Sequence, residues 1–247
     1  KADLYDRAGL VKAFAGAHGV YGVTNYWQLF SVEKEQAQAT NIANAAKAAG
    51  VKHVIWSTLE DTTKWVPVDD MRMPTLQGKY KCPHFDSKDQ IDHVFTDLGL
   101  PDTFLLTSFY WDNFYVFGMG PKKGADGSYT LTFPIGRAKM PGIAAEDIGK
   151  CAYGIFKKGG ELIGRRVGIA GEHLTGAEMA EKCSRGLGIT CAYNAVSADT
   201  YRSFGFPGAD DLGNMFQIYD EFEQPFAGAR SVEFSRSLAP SLMTFDQ

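Results

Sequence analysis

Two side chains suited to handling protons and anions stand four positions apart in the stretch KCPHFDSKDQ: His84 and Lys88, just behind Pro83. On a helix that spacing puts both on one face. An imidazole exchanges protons near neutral pH, and an ammonium grips hydroxyl or anionic groups. The pair therefore fits a site that moves a proton beside a bound ligand, or equally the solvated stripe of an amphipathic helix with His84 opening it. Ser57 ends the apolar run VKHVIWST and is a third group able to hydrogen-bond a reacting oxygen, although a serine at a strand end is as often a turn former.

Other chemistries are thinly supplied. Cys82, Cys151, Cys183 and Cys191 show no CxxC spacing, and the five histidines form no HxxxH or HExxH pair. Neither a metal site nor a disulfide framework is expected. The 25 Lys and Arg residues against 29 Asp and Glu give a net charge of −4 without any basic run. Direct contact with nucleic acid or an anionic membrane surface is therefore not expected. No apolar stretch approaches the roughly 18 to 20 residues needed to cross a bilayer, and no secretion signal opens the chain, so a cytoplasmic location is expected.

A pair such as His84 and Lys88 needs a rigid frame, and the first half of the chain predicts one. GVYGVTN at 19–25, VKHVIWST at 51–58 and TFLLTS at 103–108 are short, rich in β-branched residues and continuously apolar, as buried parallel strands are. Helices are predicted between them: one from Asp6, one from Ser31 with Ala39, Ile42 and Ala46 as its apolar stripe, and one from Pro83 to Gly99. Strand and helix alternating in this way imply parallel βαβ units, with ligands held beyond the carboxyl ends of the strands. Those ends lead into TNYW at 24–27, STLED at 57–61 and SFYWDN at 108–113, each rich in hydroxyl, amide and aromatic groups. The loop between Asp61 and Cys82 is long enough to lid a site, and its Trp65 and Tyr80, like Trp27, could equally be packing groups.

The second half is less regular. YTLTFPIG is predicted as an antiparallel or edge strand because of Pro134, and Thr175 with Glu178 forms a capping box at the start of a helix. The expected organisation is a Rossmann-like, doubly wound α/β domain over residues 1–116 and a smaller α+β subdomain over 117–247, with strands or helices exchanged back to the first.

A dinucleotide-binding sheet should carry a glycine-rich turn after its first strand. GMGPKKG at 118–124 follows no apolar strand, and Pro121 breaks helix entry, so it is not that turn. Four motifs nevertheless act together: KADLYD at the start, VTNYW, the block HFDSKDQIDHVFTDLGLP followed by SFYWDN, and YRSFGFPGADDLGNMFQIY with TFDQ. In combination they resemble the NmrA-like family, atypical members of the short-chain dehydrogenase/reductase superfamily. The resemblance spans almost the whole chain. It implies that the first strand and the glycine-rich turn lie upstream of Lys1, outside this chain.

By that resemblance Asp3 and Leu4 would lie at the adenine, and Thr24, Asn25 and Tyr26 along the phosphates and ribose. Lys88 would bond the nicotinamide ribose, while Tyr110, Trp111, Asp112 and Asn113 would close over the nicotinamide. Some relatives carry a lysine where this chain has Ala37. Active short-chain reductases place a catalytic tyrosine four residues before the lysine; here that position is His84, and Ser57 falls near the position of their serine. The implied cofactor is NADP(H), with NAD(H) an alternative. Three functions stay open: a dinucleotide-binding redox sensor acting through a protein partner, with a homodimer as one form it could take, a reductase of a carbonyl or quinone using His84, Lys88 and Ser57, and a cofactor-free scaffold if the polypeptide begins at Lys1.

Overall fold

The computed structural model describes residues 1–247 and divides them into two compact units. The first comprises residues 1–70, 77–106 and 152–167; the second comprises 71–76, 107–151 and 168–247.

The first unit is Rossmann-like. Strands β1 (Gly19–Gly22), β2 (His53–Thr58) and β3 (Asp102–Leu106) pair in parallel, and the sheet runs in the order β1-β2-β3-β8 with β8 at Arg166–Gly168. All six residues of β2 are buried, as expected for a central strand covered on both faces. On one face, α1 (Arg7–Phe14), α3 (Val32–Ala48) and α5 (Asp92–Asp97) close over Val54 and Trp56 with Leu10, Ala39, Ile42, Ala46 and Phe95. On the other, His53 meets the ring of Phe156, with centroids 5.2 Å apart. Local signals act where the sequence places them. Asp6 accepts from the Gly9 amide at 3.0 Å, and Ser31 caps α3 through the Lys34 amide at 3.3 Å.

The local structure adds to the sequence reading in one place and corrects it in another. TNYW carries a short helix, α2, at Tyr26–Leu29. The helix expected over Pro83 to Gly99 is two, α4 (Pro83–Asp89) and α5, joined at Gln90 and Ile91. There the ladder tightens, and the Ile91 amide reaches Lys88 O at 3.2 Å, three residues back rather than four.

The second unit is built on two three-stranded sheets. One has the order β4-β7-β9, from Phe109–Tyr110, Met140–Ile143 and Glu172–Leu174. The other has the order β10-β6-β5, from Cys191–Ala195, Tyr129–Phe133 and Lys122–Lys123. The strand within YTLTFPIG is thus central rather than an edge, parallel to β10 and antiparallel to β5. Pro134 lies just past its last residue and takes no ladder position. Thr175 and Glu178 form the complete capping box of α8 (Gly176–Leu187). Phe109, Phe133 and Phe216 meet in the core, and fully buried Arg230 lies 3.7 Å over the ring of Phe226.

No helix is long and apolar enough to cross a membrane.

Candidate functional site

HFDSK has no solvated stripe. Pro83 through Lys88 are all buried, and each polar residue of α4 has its own task. Lys88 is 9% exposed and its Nζ donates to Glu35 Oε1 at 2.8 Å, Thr24 Oγ1 at 2.9 Å and Thr24 O at 3.2 Å. Thr24 Oγ1 in turn donates to Glu35 Oε1 at 2.8 Å, and Ser87 Oγ donates to Glu35 Oε2. Lys88 Nζ also stands 5.5 Å from the ring centre of Trp56 on β2. The ammonium therefore sits where β1 has just ended, beside the last residues of β2. That is the edge at which doubly wound sheets hold their ligands.

His84 faces a different group. Its ring lies 4.7 Å from that of Trp27, 6.2 Å from Tyr26 and 4.8 Å from Phe85, and the residue is 7% exposed. The aromatic residues of α2 thus enclose the imidazole. Tyr26 is buried with Tyr80 and Val32, and its hydroxyl accepts from Gln77 Nε2 at 2.9 Å. The two non-glycine residues with positive φ, Phe30 at 46° and Gln77 at 49°, both attach to this tyrosine, Phe30 through its amide to Tyr26 O at 2.7 Å. Such backbone is costly and persists only where the surroundings impose it.

Asp86 ties the base of the loop between Asp61 and Cys82. Its Oδ1 accepts from the Thr62 amide and hydroxyl, each at 2.7 Å, and its Oδ2 from the amides of Lys81 at 3.0 Å and Cys82 at 3.2 Å. Burial pushes this carboxyl up to about 6, against hydrogen bonds from Thr62 and Lys81 that favour the anion. Asp92 is also raised to about 6 by burial, partly offset by the charge of Arg166. It holds Trp56 in place through Nε1 at 2.9 Å.

The remaining sites of the first unit are separately placed. Ser57 is buried near the end of β2. Asn25 is the cap residue of α2 and is exposed. Asp3 is exposed and accepts from the Tyr5 amide at 2.9 Å, whereas Leu4 packs against the core and its carbonyl accepts from Asn41 at 2.9 Å. Of the predicted residues, the fold brings Thr24 into hydrogen-bond contact with Lys88 and sets the rings of Tyr26 and His84 6.2 Å apart.

Tyr110, Trp111, Asp112 and Asn113 belong to the second unit. The Tyr110 hydroxyl lies 3.4 Å from Thr107 Oγ1, and burial raises its pKa. Asn113 begins the short helix α6 (Asn113–Val116). Asp112 accepts from the Tyr115 hydroxyl at 2.6 Å and from the Ala145 amide at 2.7 Å, at the start of α7 (Ala145–Lys158). Burial alone would raise its carboxyl, but these two bonds hold it below the usual range. Trp111 lies against Gly142 and Gly171, and its ring meets Phe245 of TFDQ edge-on at 5.5 Å. The Phe245 amide is anchored on Glu172 at 2.7 Å.

A Cβ on Gly142 would overlap Trp111 Nε1, and the ring cannot yield without leaving its cradle. Gly142→Ala should therefore lower stability by about 1–3 kcal/mol, the usual range for overpacking. Chemical denaturation measures the loss. A red shift of tryptophan emission reports the displaced ring, and unchanged emission would show that Trp111 is not held there.

Sequence reasoning missed Glu35. It reads as a first-turn acid like Glu33, which is exposed, whereas Glu35 is 1% exposed. The signal lay in the period. Val32, Glu35, Ala39 and Ile42 fall three, four and three residues apart, on the buried stripe of α3.

The sequence model of the NmrA-like family matches residues 1–244. The chain belongs to the NmrA-like family. Within it, the chain is similar to the nitrogen metabolite repression protein nmr of Neurospora crassa, 32% identical over 214 residues. The match takes in 79% of this chain but only 40% of the length of that relative. Among solved structures, NmrA, a negative transcriptional regulator crystallised in complex with NAD, superposes with a TM-score of 0.79 at 22% identity, over 100% of this chain and 77% of that one. The NADPH-dependent quinone oxidoreductase of Escherichia coli, solved with NADPH, gives 0.69 at 20% identity, over 100% and 80% of the two chains. At these identities the structural likeness establishes the fold. Both a regulator and a reductase are thus built on the frame of this NmrA-like chain.

Proposed function

We propose that this protein binds a nicotinamide dinucleotide, NADP(H) in the first place, and reports its redox state or supply to a protein partner. The observation that carries this reading is the buried ammonium of Lys88 at the carboxyl edge of a parallel sheet. Lysines are rarely buried unless paired, and the pairing with Glu35 holds this one where doubly wound sheets take their ligands. Thr24, Asn25 and Tyr26 extend the same edge and would follow the ribose and phosphates. The family relationship supports the choice of ligand, since its solved members include proteins crystallised with NAD and with NADP.

A sensor is favoured over a reductase by the surroundings of His84. A general acid must come within hydrogen-bond reach of its substrate, and this imidazole is enclosed by Trp27, Tyr26 and Phe85. The net charge of −4 makes a protein partner, rather than DNA, the receiver of the signal.

Titration of the protein with NADPH, NADP+ and NADH, followed by calorimetry and by nicotinamide fluorescence, tests the reading. Saturable binding without oxidation of NADPH by a panel of quinones and aldehydes is the expected result. Steady turnover lost in His84→Phe would replace it with the reductase, and absence of binding would leave the scaffold.

A further inference from the structure

An ammonium has three hydrogens to donate. In Lys88 all three are already directed at protein acceptors, Glu35 Oε1, Thr24 Oγ1 and Thr24 O. The carboxylate that takes the first is itself held on both oxygens, by Thr24 and Ser87. We propose that Glu35 is a positioning residue that sets the affinity of the dinucleotide site, by neutralising Lys88 and competing with the ribose for its hydrogen bonds. This rests on the binding function proposed above and adds its regulation.

Two effects act in the same direction. A ribose diol reaching Lys88 must displace a bond already made, and the carbonyl of Thr24, at 3.2 Å, is the weakest of the three. A dinucleotide is also an anion, and a carboxylate 2.8 Å from the ammonium removes most of the field that would attract it. Lys88 keeps its place without Glu35, because Thr24 binds it through both hydroxyl and carbonyl. The consequence is a site of deliberately moderate affinity, one that fills and empties as the dinucleotide pool changes.

Glu35→Gln tests this directly, since it keeps the shape while removing the charge: its carbonyl accepts from Thr24 as Oε1 does, and its NH2 donates to Ser87 Oγ, whose hydroxyl turns to accept. NADPH is titrated into the unaltered protein, Glu35→Gln and the double variant Glu35→Gln/Lys88→Met, each at several salt concentrations, with folding checked by circular dichroism. The expected result is roughly fivefold or more tighter binding by Glu35→Gln, with a steeper salt dependence from the unmasked charge. The gain should vanish in the double variant. Unchanged or weaker binding by a folded Glu35→Gln overturns the proposal and leaves Glu35 as a structural partner. Should Glu35→Gln fail to fold, Glu35→Asp decides. Its shorter acid draws back from Nζ and should give a smaller gain in affinity; no gain overturns the proposal. If the unaltered protein binds no NADPH, the proposed function falls and this inference with it, whereas binding that ignores Glu35 sinks only the inference.

Discussion

Lys88→Met should lower the stability of the fold by about 3–5 kcal/mol, the usual cost of leaving one member of a buried ion pair without its partner. The reason is Glu35. Its carboxylate is 1% exposed, so it cannot recover in water what it loses in the lysine, and Ser87 and Thr24 alone would have to hold it. Lys88 is 9% exposed and contributes through its charge and its three hydrogen bonds more than through surface screening. Adding Glu35→Gln should therefore recover most of the loss. The glutamine carbonyl accepts from the Thr24 hydroxyl and its NH2 donates to Ser87 Oγ, so no buried charge remains and Thr24 O is the acceptor left short, which limits the residual cost to about 1–3 kcal/mol. Urea denaturation of the three proteins measures both numbers, with unchanged slopes showing that the unfolded state is not at issue. A single variant as stable as the unaltered protein would mean that Lys88 and Glu35 are not paired in solution.

The way these residues were read explains what the sequence could and could not reveal. Strands β2 and β3 were legible because a strand covered on both faces has no polar alternation to confuse, and caps such as Asp6, Ser31 and Thr175 act through neighbours three residues away. Lys88 was legible from its place in HFDSK. Its partner was not, because Glu35 is 53 residues away and exchanges its polarity for burial only when α3 and α4 pack together. The same holds for the middle of HFDSK. Asp86 looks like a surface acid until the chain from Thr62 to Cys82 returns to it. The helix within TNYW was not legible, because Thr24 and Asn25 are turn residues by type and the packing of Tyr26 and Trp27 on His84 depends on a segment far along the chain. YTLTF is antiparallel to β5 as expected, but it is not an edge strand. Pro134 forbids a ladder bond only at its own position, and the strand ends one residue before it. Local chemistry was thus visible, while polar contacts that require two distant segments to meet were not.

Asp86 carries the second large effect. Asp86→Ala removes four hydrogen bonds in buried surroundings, from the Thr62 amide and hydroxyl and from the Lys81 and Cys82 amides; the Cys82 amide retains Thr62 Oγ1 at 3.1 Å. At about 1 kcal/mol for each hydrogen bond lost, the expected loss is about 3–5 kcal/mol. The loop between Asp61 and Cys82 should become the first site of proteolytic cleavage, since both of its ends are tied to this carboxylate. The milder Asp86→Asn exposes the pH dependence. The carboxyl of Asp86 is raised from its ordinary 3.8 to about 6 in the folded protein, so the native state binds the proton more tightly than the unfolded chain. Its contribution to stability is therefore complete below about pH 4 and is lost as the pH rises through about 6. Asparagine does not titrate. The stability of the unaltered protein relative to Asp86→Asn should accordingly fall between pH 4 and pH 6.5 by about 3 kcal/mol, two units of raised affinity at about 1.4 kcal/mol each. Denaturation curves for both proteins across that range isolate the effect from Asp92, which titrates alike in each. A difference that stays flat, or that grows with pH, would show that the four hydrogen bonds outweigh burial and keep Asp86 ionised throughout. The loop would then be held by a permanent anion rather than by a group that gains its proton as the medium turns acidic.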